Sequence, residues 1–142
     1  MTDLDKAKEL LLKGYTCVLV KGEDILTSQK AGIAPMIDIL NEGIDMQNFS
    51  VADKIVGRAA AFLFVKAKIS AVYGEVLSKG GKSVLEDHGI PCEYGELVDN
   101  IINRKKTGIC PMEETVQNAE NCEEAFLLLN QKLKSLREQK YK

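Results

Sequence analysis

Ile69-Ser70-Ala71-Val72-Tyr73 is the stretch that decides the fold, because it has the composition of a short, continuous, buried strand. A strand of this kind is covered on both faces, as in proteins that pack helices against a sheet. The residues from Ser78 to His88 then predict a helix that ends at Gly89, and Pro91-Cys92-Glu93-Tyr94 begins another strand. Two strands joined by a helix in one sheet run parallel, with a right-handed crossover.

The N-terminal part of the chain predicts a helix followed by a β-hairpin. Leu4, Ala7, Leu10 and Leu11 recur at helical spacing, and Gly14 supplies the stop. An apolar run and a second β-rich run follow, separated by a tight turn. The predicted elements are a helix at 3–13, strands at 16–20 and 25–28, and a short helix at 34–42.

Ser50 and Asp53 have the spacing of a helix cap and an acid at the third position, and they predict a helix that runs to about Lys66. Further helices are expected from Pro111 and from Asn121. The elements together predict an α/β fold in one domain over residues 1–142. It is a three-layer sandwich around a mixed sheet, in which an antiparallel hairpin precedes parallel strands.

The composition of the chain argues against several classes of function. The 142 residues are 45% hydrophobic and 28% charged, with a formal charge of −2, which argues against a nucleic-acid-binding protein. The N-terminus lacks the layout of a secretory signal, and the longest apolar run, 59–65, is too short to span a bilayer. A cytoplasmic protein without membrane contact is expected. Four scattered cysteines and one histidine, His88, predict neither a metal site nor a cofactor.

The segment 103–114 is the part of the chain richest in chemistry. It combines an amide, cations, a hydroxyl, a thiol and carboxylates just before a helix that starts at Pro111. A helix N-terminus offers unpaired amides and a positive dipole end, so an anion or a reactive thiol fits there. The candidate ligand-binding residues in this segment are Asn103, Arg104, Thr107, Gly108, Met112 and Glu113.

Two further groups of candidates lie earlier in the chain. Lys54 and Arg58 are four residues apart and are expected to share one helix face. Gly74, Glu75 and Ser78 are expected at a strand exit, where a carboxylate can serve as base or ligand contact. Ligands of α/β sheets bind beyond the carboxyl ends of the parallel strands, so the three groups are expected to converge there. The predicted ligand is a small anion, nucleotide-like or phosphorylated.

Two alternatives stay open. The first is an enzyme that uses Cys110 as nucleophile, with Glu75 or Glu113 handling protons. The second is a non-catalytic interaction module that uses the amphipathic 122–138 helix as a docking or homo-oligomer surface. Capping alone explains Ser78, and completing the core explains the apolar side chains of the last helix.

Ser50–Ala61, Val72–Ser78 and Asn103–Glu113 resemble a prokaryotic family known as domain of unknown function 1893. The resemblance extends from about Lys6 to Val116, and Thr-Gly-Ile-Cys-Pro-Met-Glu (107–113) is its most specific part. It implies the fold of the cytidine-deaminase-like superfamily, whose core order of helix, hairpin, helix, strand, helix, strand, helix is similar to the order predicted here.

The same resemblance implies that zinc-dependent deamination is absent. Working deaminases of the superfamily place a His- or Cys-Ala-Glu triplet at the start of the second core helix and Pro-Cys-x-x-Cys after the third strand. Those places are assigned here to residues 51–54 and 74–78, which contain neither zinc ligands nor the catalytic glutamate. Without a metal-activated water this hydrolysis has no nucleophile.

Overall fold

The computed structural model describes residues 1–30, 32–103 and 106–140. Helices and strands alternate along most of its length. The elements are α1 (Asp3–Leu11), β1 (Cys17–Lys21), β2 (Asp24–Ser28), α2 (Ala34–Asn41), β3 (Ser50–Val56), α3 (Arg58–Ala67), β4 (Ala71–Ser78), α4 (Lys79–Asp87), β5 (Cys92–Val98), α5 (Pro111–Thr115) and α6 (Cys122–Lys140).

The five strands form one mixed sheet in the order β2-β1-β3-β4-β5. β1 is antiparallel to both of its neighbours, β2 and β3, whereas β3, β4 and β5 run parallel. The prediction of an antiparallel hairpin followed by parallel strands is therefore confirmed.

Helices cover both faces of the sheet. Alternate residues of β1 point to opposite sides, so Val18 and Val20 pack against α1 while Cys17 and Leu19 belong to the larger core. That larger core contains buried side chains of α2, α3, α4 and α6, with Phe64 and Leu63 among the largest. Among the described residues, no helix has both the length and the apolar character needed to cross a membrane.

Residues 50–56 form a central strand, so the predicted helix start at Ser50 is wrong. The helix begins only at Arg58. Ser50 is a strand residue whose hydroxyl lies 3.5 Å from that of Ser70, and Asp53 pairs with Cys17 and Gly74 of the flanking strands. The β-branched residues of this segment favour a strand, and burial between two neighbouring strands outweighs a local resemblance to a helix cap.

The predicted strand exit at Gly74-Glu75 is also wrong, because β4 continues to Ser78. Gly74 lies inside the sheet, where a Cβ would come within 3.0 Å of Cγ2 of Val56. Glycine is therefore favoured here by a crowded point of the strand, rather than by a turn. Ser78 is the N-cap of α4 as predicted, and its Oγ accepts a 2.9 Å hydrogen bond from the amide of Gly81.

Candidate functional site

In the described part of the loop before α5, Asn103 and Thr107 are bonded to each other. Asn103 Oδ1 accepts a hydrogen bond from the amide of Thr107 at 3.0 Å, and its Nδ2 donates to the Thr107 hydroxyl at 3.1 Å. The backbone N–H of Asn103 donates to the carbonyl of Gly108 at 2.9 Å. These bonds join the described residues on either side of 104–105, and Ile102 is bridged to Ile109. The predicted ligand residue Arg104 lies outside the described residues.

Cys110 is the N-cap of α5, at the position that the sequence predicts. Its side chain makes no capping hydrogen bond, while its amide donates to the carbonyl of Ile101 at 2.9 Å. The helix has only five residues, so its dipole is weak and confined to little more than one turn. Met112 is partly buried and packs against the larger core.

Glu113 caps the N-terminus of α3, a helix that is distant from it in the sequence. Its two carboxylate oxygens accept hydrogen bonds from the amides of Arg58, at 2.7 Å, and Ala59, at 2.8 Å. Burial raises the pKa of Glu113 above its usual value, while these amides and the Arg58 guanidinium oppose the rise. A Cβ at Gly57 would overlap this carboxylate, so the contact requires glycine there. The protein's own anion therefore occupies the N-terminus of α3.

Arg58 is likewise engaged within the fold. Its Nε and Nη2 donate to the carbonyls of Val116 and Ala119 at 3.2 and 3.1 Å, and its guanidinium lies 4.9 Å from the ring centre of Phe62. These bonds tie the segment after α5 to the start of α3. The prediction that Lys54 and Arg58 share a helix face is wrong, because Lys54 lies on β3.

Lys54 and Glu75 instead meet in a cleft on the α1 side of the sheet. The cleft has a volume of about 260 Å³, and Tyr73 of β4 forms part of its wall. Both charged side chains are exposed to solvent. The remaining lining residues come from α1 and the turn after it: Lys8, Leu11, Leu12 and Gly14.

The charge of Lys8, which lines the cleft, is already compensated by Glu93 of β5. Its Nζ lies 3.3 Å from Oε1 of Glu93 and 4.7 Å from the ring centre of Tyr73. Neither Lys54 nor Glu75 takes part in an ion pair with any other described residue. The cleft therefore presents one cation and one carboxylate that are available to a ligand.

A larger groove of about 470 Å³ lies between the end of α2 and the C-terminal half of α6. Its side chains are partly satisfied by each other, since Asn41 donates to Asn130 at 2.9 Å and Arg137 pairs with Asp38 at 3.2 Å. The smaller cleft is the better candidate site because Lys54 and Glu75 lie at paired positions of adjacent strands, and neither has an ion-pair partner among the described residues.

The structure thus divides the predicted site into two. Arg58, Ser78 and Glu113 gather where α3 and α4 begin, and there they stabilise the fold. Lys54 and Glu75 line the α1 cleft. Sequence reasoning missed Lys8 and Tyr73. The alternation of side chains along a longer β4 would have placed Tyr73 beside Glu75.

Within the described ranges, no group of three or more His, Cys, Asp or Glu side chains is arranged to hold a metal ion. The fold is that of an α/β domain built on a five-stranded mixed sheet, and the α1 cleft is its candidate site. The family model "domain of unknown function (DUF1893)" matches residues 6–133, and the chain belongs to this family.

A solved structure shows the same fold. The crystal structure of TM1506, a DUF1893 family protein from Thermotoga maritima, superposes with a TM-score of 0.83 at 24% sequence identity. The match covers 93% of this chain and 91% of that chain. A search of curated proteins finds no match.

Proposed function

We propose that this protein binds a small ligand with an anionic group, nucleotide-like or phosphorylated, in the α1 cleft. The observation that carries the proposal is that Lys54 and Glu75, which belong to different strands, line the same cleft. Lys54 supplies the positive charge for the ligand. Because the cleft is partly apolar, the field of a single cation is stronger there than in bulk water.

The start of α3, which the sequence also predicts to bind the anion, is a poorer candidate because its donors are already bonded within the protein. The amides at the start of α3 already bind the carboxylate of Glu113, and the Arg58 guanidinium is bonded to two carbonyls. A ligand at that place would have to displace these bonds. Lys54 has no such bonds within the described part of the chain and is available at no structural cost.

The proposed scaffold is a zinc-free relative of the cytidine-deaminase-like fold. The order α1, hairpin, α2, β3, α3, β4, α4 supports this proposal, because it is similar to the core order expected for that superfamily. Because β3 is the third strand, the positions that correspond to the zinc ligands of working deaminases are the starts of α2 and α3, not residues 51–54 and 74–78. Ala34-Pro35-Met36 and Gly57-Arg58-Ala59 stand there, and none of these side chains ligates zinc in the way the deamination mechanism requires.

The cysteine-based enzyme and the interaction module stay predictions. Of the proton-handling partners suggested for Cys110, Glu113 is bonded to the start of α3 and Glu75 lines the α1 cleft. Cytoplasmic location and the absence of nucleic-acid and membrane partners are parts of the same proposal that rest on the sequence, and a homo-oligomer rests on the amphipathic pattern of residues 122–138.

Calorimetric titration with nucleotides and sugar phosphates tests the proposal. The Lys54→Ala variant is expected to bind the tightest of these ligands roughly fivefold more weakly, because a partly exposed ion pair contributes about 1 kcal/mol. Lys21→Ala is the matched control, since it removes the same charge at the exposed end of β1. Equal affinity of the Lys54 variant and wild type, or no binding of any probe, overturns the proposal.

A further inference from the structure

Among the described residues, the cleft beside α1 presents one unpaired charge of each sign. Lys8 and Glu93 are paired with each other at 3.3 Å, which leaves Lys54 and Glu75 as the charges available to a ligand. A ligand with only negative charge is attracted by Lys54 and repelled by the Glu75 carboxylate. A ligand that carries charges of both signs satisfies both side chains.

Resting on the function proposed above, we infer that the ligand of this cleft is a small zwitterion, with a phosphate or carboxylate for Lys54 and a protonated amine for Glu75. The two residues lie on neighbouring parallel strands, in which Ile55 is paired with Val76 and Asp53 with Gly74. Lys54 and Glu75 are thus at the same level of the sheet, and their side chains reach the cleft from adjacent strands.

The rest of the cleft suits the carbon skeleton of such a molecule. Leu11 and Leu12 of the α1 end and the ring of Tyr73 supply an apolar wall. The ammonium of Lys8 lies over this ring, 4.7 Å from its centre. Gly14, with φ of 109°, lies in the turn after α1 and also lines the cleft. A volume of about 260 Å³ accommodates a compact metabolite rather than a polymer.

A pair of probes of similar size separates the two charges. Phosphoethanolamine carries a phosphate and an ammonium, whereas ethyl phosphate carries the phosphate alone. Wild-type protein is expected to bind phosphoethanolamine roughly fivefold more tightly than ethyl phosphate in calorimetric titrations. The Glu75→Gln variant should lose this preference and bind ethyl phosphate at least as well as wild type, because the repelling charge is gone. Glu42→Gln, an exposed change at the end of α2, is the control that should keep the preference.

The outcomes distinguish this inference from the proposed function. If wild type binds both probes equally and Lys54→Ala weakens both, the zwitterion inference is overturned while the anion-binding function stands. If neither probe binds and nucleotides and sugar phosphates also fail, both are overturned. If Glu75→Gln weakens both probes by the same factor, Glu75 has a structural role and the inference is equally overturned.

Discussion

Asp53 is a carboxylic acid that folding transfers into the centre of the sheet. It is only 8% exposed, and its Oδ1 accepts a hydrogen bond of 3.4 Å from the amide of Ile55. Burial raises the pKa of Asp53 to about 7, and hydrogen bonds from Ile55, Cys17 and the Lys54 amide oppose the rise. Burial also raises the pKa of the neighbouring Cys17 thiol well above its usual value. The native protein therefore holds a proton on Asp53 that the unfolded chain releases.

This difference predicts how stability depends on pH. Between about pH 4 and about pH 7 the folded state binds the Asp53 proton and the unfolded state does not, so stability falls as pH rises, by at most about 1.4 kcal/mol per pH unit. Urea unfolding of wild type and Asp53→Asn across this range measures the effect, and the variant should show a shallower slope. Asp24→Asn, an exposed change in the hairpin, should keep the wild-type slope. Identical slopes for Asp53→Asn and wild type would contradict the assignment.

α3 and α4 approach each other closely near their N-termini, at Gly57, the N-cap of α3, and at Gly81 in the first turn of α4. A Cβ on Gly81 would lie 2.9 Å from the backbone carbon and oxygen of Gly57, both of which are rigid. At Gly80, one position earlier, a Cβ would meet only the Arg58 Cβ at 3.8 Å and Ser78 Oγ at 3.9 Å. The close approach of the two helices thus depends on Gly81 and not on Gly80.

Alanine substitutions at these two positions are therefore expected to act in opposite directions. Gly81→Ala should destabilise the protein by about 1–3 kcal/mol, because the backbone of α3 must move away. Gly80→Ala should stabilise it by up to about 1 kcal/mol, since alanine is the better helix former and the space is free. Thermal and urea unfolding of the two variants measures both effects, and equal destabilisation would show that the close approach is absent.

At the scale of the whole molecule, α6 closes the larger core. Ala125 and Leu129 are fully buried in it, and Phe126, Leu128 and Leu133 pack against it. Leu127, in contrast, is 59% exposed. The expectation that the apolar side chains of this helix complete the core is met by these residues. The docking surface suggested for the same helix would have to use its outer side chains.

Leu129 and Leu127 provide a matched test of this role. Leu129→Ala should cost about 2–4 kcal/mol of unfolding free energy, because it leaves a cavity beneath the helix. Leu127→Ala should change stability by less than about 0.5 kcal/mol, since the side chain is already in water. Urea unfolding followed by circular dichroism measures both. A small effect of Leu129→Ala would show that α6 is not integral to the core.

Local signals in the sequence determined the element order outside one region. Gly14 and Gly43 have positive φ where the first two helices end, Ser78 caps α4, and Asn121 accepts a 2.8 Å hydrogen bond from the amide of Glu124 as α6 begins. Such signals depend on neighbours in the chain, so they can be recognised without the tertiary structure. The mixed sheet, with its antiparallel hairpin and parallel strands, followed from this order by the rules of connection.

Only the tertiary structure decided that residues 50–56 form the central strand and where the candidate residues gather. Ser50 and Asp53 match a helix cap locally, but pairing with β1 and β4 across long separations in sequence outweighs that preference. This change of one element separates Lys54 from Arg58 and brings Lys54 to Glu75. In addition, Glu113 caps α3. This carboxylate follows Arg58 by 55 positions and Ala59 by 54, so no local pattern encodes the contact. Contacts of this kind depend on the packing of distant segments, which is why the sequence named the residues but not their partners.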